Sequence, residues 1–163
     1  MEENKSSAAV LAAQGGIIAA LYVVLTLLSN AFGLANGAVQ VRISEALTVL
    51  PAFTPAAIPG LFVGCILSNT LTGAIFPDII FGSLATLAAA FVTYKLRNKN
   101  KFLAPVPPII ANTIVVPLVL KYAYHIDGAL IYMMLTVFLG ELISCGVLGM
   151  ILYPILKKII RRN

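Results

Sequence analysis

The chain has 163 residues, of which 60% are hydrophobic and only 10% carry a charge, and its mean hydropathy is +1.00. A soluble domain carries about a quarter charged residues, because its surface must face water. This composition excludes an ordinary soluble protein and predicts an integral membrane protein. The formal net charge of +5 does not indicate a nucleic-acid partner, since the basic residues lie in short clusters beside hydrophobic runs.

The hydrophobic residues are arranged for α-helices. Stretches such as 52–73 and 79–92 are apolar on every face, whereas a membrane β-strand alternates apolar and polar residues. A helix needs about 20 residues to cross a hydrocarbon core of about 30 Å, so six spans use about 120 residues and leave no room for a soluble domain. The sequence predicts an all-α polytopic membrane protein, with six transmembrane helices in a single domain. The predicted helices cover about 8–28, 38–53, 56–71, 79–94, 105–120 and 129–156.

The first predicted helix carries a flank of small residues, which lets another helix approach closely. Spacing alone leaves open whether that helix lies in the same bundle or in another subunit. The flank consists of Ala8, Ala12, Gly16 and Ala20 at successive i+4 positions, with Ala9, Ala13, Gly15 and Ala19 beside them.

The next three predicted helices carry polar residues near their ends. Gln40, Arg42 and Glu45 lie in the first two turns of the second helix, and Asn69 lies near the far end of the third. Asp78 begins the fourth helix, where a carboxylate either caps the first turn or contacts a ligand. With the orientation that the basic residues predict, all five lie toward the outer membrane face, and we expect them to line one pocket open to the outside.

The fifth and sixth predicted helices follow a polar stretch at 95–101. Asn112 lies in the fifth helix, and Glu141 lies near the middle of the sixth. The sixth helix then runs out into basic residues at 157–162.

The distribution of Lys and Arg predicts the orientation. One basic cluster lies at 95–101 and another at 157–162, whereas the loops that alternate with them hold only Arg42 and Lys121 nearby. Because basic residues accumulate on the cytoplasmic side, both clusters are expected there. The sequence thus predicts a multi-pass protein of the cell membrane with both termini in the cytoplasm.

Four ionisable residues fall within or beside the predicted spans. A charge at the centre of a spanning helix costs about 2.5–3.5 kcal/mol on insertion scales. Each of these residues is therefore expected to be paired with an opposite charge, hydrated, or part of a functional site. The spacing of Arg42 and Glu45 favours an internal ion pair, although Glu45 is also a candidate ligand contact. Glu141 has no basic residue within four positions, so its partner is either a ligand or Arg42. Asp78 completes the set.

Three amide side chains add groups that both donate and accept hydrogen bonds. Gln40, Asn69 and Asn112 suit recognition of a flat polar heterocycle. Helix-to-helix hydrogen bonding is the alternative role for these amides.

The sequence contains no motif for an energy source or for catalysis. None of its lysines follows a glycine, which rules out the phosphate-binding loop, and no nucleophile elbow or zinc motif is present. Cys65 and Cys145 lie in apolar runs without a second ligand at metal spacing. We therefore expect neither an enzyme nor a bound metal or cofactor. The helices share no repeated motif, which argues against the usual inverted-repeat transporters.

Several segments of the chain resemble the QueT family. The resemblance rests on the run from Ala38 to Pro51 and on the run from Phe53 to Cys65 that follows it. Three further stretches agree with the family, at 20–26, 78–86 and 140–143. The match covers nearly the whole chain.

This resemblance implies the substrate-binding S component of an energy-coupling factor (ECF) transporter. Such proteins are six-helix bundles that bind substrate from outside, in this branch a queuosine precursor of the 7-deazaguanine type. They dock through a small-residue motif in the first helix, which matches Ala8/Ala12 and Ala9/Ala13 here. Their partners are a membrane scaffold subunit and two ATPase subunits, so the lack of an ATPase motif is expected. A carboxylate from Glu45 or Glu141 can accept the two parallel N–H groups of a guanine-like edge.

Two other functional classes remain open from the sequence. One is a self-sufficient channel or proton-coupled carrier that uses Glu45 and Glu141 as relay groups. The other is a structural membrane subunit whose polar residues only hold its helices together.

Overall fold

The computed structural model describes residues 2–34 and 39–160, with side chains described for 8–34 and 39–158. Over these ranges the chain is helical and contains no β-strand. In chain order the elements are α1 (Glu2–Ala31), a 3₁₀ helix (Ile43–Ala52), α2 (Ala57–Leu71), α3 (Phe76–Leu96), a 3₁₀ turn (Lys101–Leu103), α4 (Val106–Tyr122), α5 (Leu130–Glu141), a π-helical segment (Leu142–Leu148) and α6 (Gly149–Ile160). The last three elements follow one another directly and form one continuous helical segment.

Four segments are long and apolar enough to cross a membrane. They are Ala8–Ala31, Phe76–Leu96, Lys101–Tyr122 and Leu130–Lys158. The prediction of an all-α, multi-pass membrane protein is confirmed.

The structure differs from the prediction at the second helix. In place of a membrane-crossing α-helix over about 38–53, residues 43–52 form a 3₁₀ helix of 10 residues, and Arg42 before it has extended backbone. At about 2.0 Å per residue this helix is about 20 Å long, which is too short for a core of about 30 Å. α2 has 15 residues and at about 1.5 Å per residue is also short.

Prolines explain several of the observed boundaries. Pro51 lies in the last turn of the 3₁₀ helix, where its missing N–H and its ring oppose continuation. α3 and α4 each begin with proline in their first positions, where a missing N–H costs nothing. α1 begins six residues before its predicted start and ends three residues after its predicted end, α3 extends three residues at its start and two at its end, and α4 ends two residues later than predicted.

The 3₁₀ helix lies at the centre of the bundle. It contacts α1, α2, α3, α6 and the π-helical segment, and all its residues from Ser44 to Pro51 are buried. The bundle buries many polar side chains and exposes many apolar ones: Asn69 and Thr86 are buried, whereas Ile17 and Phe81 are more than half exposed. Such an inverted distribution is stable only when lipid surrounds the bundle.

Close packing joins α1 to α2 through glycines. A Cβ atom at Gly60 would lie 2.7 Å from the carbonyl oxygen of Gly15, and one at Gly64 would lie 2.8 Å from Cβ of Tyr22. Gly15 and Ala19 are therefore the small residues of α1 that serve packing within the chain. The predicted small-residue flank therefore divides in two, because Gly15 and Ala19 pack within the chain whereas its other members are exposed: Ala8, Ala9, Ala12, Ala13, Gly16 and Ala20.

Candidate ligand-binding site

A polar pocket lies between the 3₁₀ helix, α2, α3, α4 and α5. All seven residues predicted from the sequence line it, although they come from separate parts of the chain. The lining consists of Gln40, Arg42, Glu45, Cys65, Asn69, Asp78, Gly82, Thr86, Asn112, Val116, Val137 and Glu141. Including its open mouth, the space is about 490 Å³, although its interior is narrow. A ring-sized ligand therefore enters only after lining side chains move apart.

Two buried carboxylates meet at one amide in this pocket. Asn112 Nδ2 donates to Glu141 Oε1 at 2.9 Å and to Glu45 Oε2 at 3.5 Å. Glu45 is 3% exposed and Glu141 is 8% exposed. Because an unpaired buried carboxylate is costly, the shared amide is a major reason that both residues can occupy this position.

The remaining oxygen of each carboxylate also has a neutral donor. Tyr22 Oη, from α1, donates to Glu45 Oε1. Cys145 Sγ lies 3.0 Å from Glu141 Oε2 and donates to it. The carboxylates are thus held by uncharged hydrogen-bond donors.

Arg42 is held by its backbone and by an amide. Its N–H donates to Ser144 Oγ at 3.1 Å, and its guanidinium Nη1 donates to Asn69 Oδ1 at 3.5 Å. Glu45 accepts hydrogen bonds from Tyr22 and Asn112 instead. The prediction of an ion pair between Arg42 and Glu45 is therefore wrong. The reason is local: Arg42 has extended backbone outside the helix, so the three-residue spacing does not place the two side chains on one helical face.

The sixth span changes helix type directly after Glu141. Residues 142–148 form a π-helical segment, a rare form that is frequent at functional sites. Ser144 and Cys145 in this segment contact Arg42 and Glu141 respectively. Gly140 packs against the backbone of Gln40. The carbonyl oxygen of Gln40 lies so close that no side chain would fit at position 140.

Asp78 lies at the mouth of the pocket and is half-buried. It does not cap α3, because the N-cap residue is Ile75 and no side-chain cap forms. Its Oδ2 instead accepts a hydrogen bond of 3.0 Å from Tyr124 Oη, which also accepts the N–H of Ile75 at 3.2 Å. Partial burial raises the pKa of Tyr124, so this hydroxyl stays protonated at neutral pH and remains a donor.

Sequence reasoning missed five of the lining residues, and each lies four or eight positions from a predicted one. They are Cys65, Gly82, Thr86, Val116 and Val137. Residues four apart share a helical face, so extending each predicted position by one or two turns finds them. Two are linked by a weak hydrogen bond, since Thr86 Oγ1 lies 3.5 Å from Cys65 Sγ.

Fold and site together define a multi-pass membrane protein that encloses a polar pocket within its helices. A family model described as QueT transporter matches residues 12–158, and the chain belongs to this family. The family is one of transporters, which agrees with the expectation that the chain is not an enzyme. The predicted QueT resemblance is confirmed.

One curated relative of the chain is the "Queuosine precursor transporter QueT" of Lactococcus lactis subsp. cremoris (strain MG1363). The two are 38% identical over 71 residues, which covers 44% of this chain and 41% of the relative. The chain thus matches less than half of the relative's length. No solved structure matches the chain.

Proposed function

We propose that this chain is the substrate-binding S component of an ECF transporter, and that it captures a queuosine precursor of the 7-deazaguanine type from outside the cell. The observation that carries the proposal is the pair of carboxylates joined by Asn112. The name of the Lactococcus lactis relative supports the substrate class.

The pocket has the chemistry to recognise a guanine-like edge. Two parallel N–H donors on the ligand match one carboxylate, which accepts both in a charge-assisted arrangement. Glu45 and Glu141 supply carboxylates, while Gln40, Asn69 and Asn112 offer amide groups for the other ligand atoms. A ligand without those N–H groups would leave a buried acceptor unpaired, which makes the site selective.

The position of the pocket supports capture from the outside. Asn69 lies in the last turn of α2 and Asp78 in the first turn of α3, while Tyr124 reaches Asp78 from the loop after α4. These loops lie at the end of the bundle opposite the basic stretch at 95–101. With that stretch in the cytoplasm, the pocket opens outward and both termini lie inside.

The exposed flank of α1 supports docking to a partner. Its small residues allow another helix to approach closely, and a side chain at Gly16 would meet nothing within 4 Å in this chain. We assign this flank to contact with the membrane scaffold subunit, which two ATPase subunits would drive. This assignment explains why the sequence carries no phosphate-binding loop.

Ligand capture by the purified protein tests this function. The full chain in detergent is incubated with a mixture of nucleobases, 7-deazaguanines and vitamins, and the retained compound is identified by mass spectrometry. The same protein is then placed in liposomes alone, to measure uptake of that compound. We expect retention of a 7-deazaguanine and no uptake without the ECF module. Uptake by the chain alone would support the proton-coupled carrier instead, and neither retention nor uptake would support a structural subunit.

A further inference from the structure

We infer that Asp78 binds a protonated amine carried by the ligand, and that Gly82 leaves the space through which this amine reaches it. The inference rests on the proposed function, because it names a substituent of the proposed ligand. It adds a cationic subsite at the mouth of the pocket.

The pocket is lined by more acidic groups than basic ones. The described lining contains three carboxylates, from Glu45, Asp78 and Glu141, against the single guanidinium of Arg42, an excess of two acidic groups. A neutral heterocycle supplies N–H donors for one carboxylate. An amine on the same ligand supplies the charge that balances another.

Asp78 is the carboxylate best placed for this role. Glu45 and Glu141 each receive hydrogen bonds on both oxygens from neutral side chains. Asp78 accepts a hydrogen bond from Tyr124 on Oδ2, and its Oδ1 faces the space above Gly82. The guanidinium of Arg42 donates its hydrogen bond to Asn69 and not to Asp78.

Gly82 shapes the space beside that oxygen. A Cβ atom built at Gly82 would lie 3.5 Å from Asp78 Oδ1 and 3.4 Å from Asn69 Nδ2. These are ordinary contact distances, so alanine fits without moving its neighbours. The added methyl group would nevertheless occupy the space that a ligand substituent crosses. Gly82 is thus a specificity-determining position, whereas Asp78 supplies the charge.

The experiment compares three ligands on the purified full chain in detergent. Calorimetry measures the affinities of 7-deazaguanine, its 7-aminomethyl derivative and its 7-cyano derivative. A charged hydrogen bond predicts that the wild type binds the aminomethyl compound about 10- to 100-fold more tightly than the other two. Asp78→Asn should reduce that ratio to near one.

Gly82→Ala gives a second readout that does not depend on the charge change. It should weaken binding of the aminomethyl compound more than binding of unsubstituted 7-deazaguanine. Asp127→Asn, in an exposed loop, and Gly16→Ala, in open space, are the matched controls and should keep the wild-type ratio.

The outcomes separate this inference from the proposed function. If the wild type binds all three compounds with equal affinity, or if Asp78→Asn keeps the preference for the amine, the cationic subsite is wrong while the S-component function stands. If the wild type binds none of them, the proposed substrate class fails and the subsite fails with it. Should Asp78→Asn not yield folded protein, an unchanged ratio in Gly82→Ala still overturns the inference.

Discussion

The hydroxyl of Tyr22 donates a hydrogen bond to Glu45, which joins α1 to the centre of the ligand pocket. Tyr22 is 1% exposed and packs in the core with residues of α2 and the 3₁₀ helix. The exposed small-residue flank lies on an adjacent side of the same helix. A partner helix that docks on this flank and shifts α1 would therefore move a hydrogen-bond donor of the pocket, which gives a physical route between the proposed docking surface and the ligand.

Tyr22→Phe should destabilise the protein and weaken ligand binding. The variant keeps the ring but leaves Glu45 Oε1 without its donor, and an unsatisfied buried acceptor costs about 1–3 kcal/mol. Thermal unfolding in detergent and calorimetric binding measure the two effects. Tyr132→Phe, on an exposed ring of α5, is the control and should match the wild type. Unchanged stability in Tyr22→Phe would show that this hydrogen bond does not hold Glu45.

Glu141→Gln should weaken binding of the 7-deazaguanine ligand. The amide replaces one acceptor oxygen by a donor, while Asn112 and Cys145 both donate toward this side chain. Loss of a charged hydrogen bond predicts about 1.5–3 kcal/mol in binding free energy, measured by calorimetry. Asp127→Asn serves as the control for removal of a surface charge. Full affinity in Glu141→Gln would remove Glu141 from the ligand contacts.

Gly16→Leu should abolish uptake by the complete transporter while leaving ligand binding to the isolated chain intact. The leucine side chain projects into open space within this chain but blocks close approach of a partner helix. Gly60→Leu is the matched internal substitution, because a Cβ there would lie 2.7 Å from the backbone of Gly15, and it should destabilise the isolated protein. If Gly16→Leu supported normal uptake, the flank would not be the docking surface.

Cysteine labelling from each side of the membrane should place the loops on opposite faces. In a background with Cys65 and Cys145 replaced, a cysteine that replaces Lys99 should react only with a labelling reagent on the cytoplasmic side. A cysteine that replaces Asp127 should react only with a reagent outside. The basic cluster at 95–101 is the physical reason for this orientation. Reaction of both positions from the same side would overturn the topology and the outward-opening pocket.

The sequence by itself determined the membrane class, the helical content and seven of the twelve residues that line the pocket. The class follows from composition, because a surface so poor in charge is stable only against lipid. The seven predicted pocket residues are conspicuous for a similar reason. A polar group in an apolar span is expensive, so residues such as Asn112 and Glu141 differ sharply from their neighbours in the chain and indicate a function.

The tertiary structure alone decided how those residues pair. Arg42 and Glu45 are three residues apart, and a continuous helix would have joined them, but the chain is extended at Arg42 and the guanidinium reaches Asn69. Glu45 and Glu141 are brought to one amide by three separate elements, and Tyr22 reaches Glu45 from a fourth. Hydrogen-bond partners at such separations depend on helix packing, including the close contact of α1 and α2 at Gly60 and Gly64, and local sequence spacing does not encode that packing.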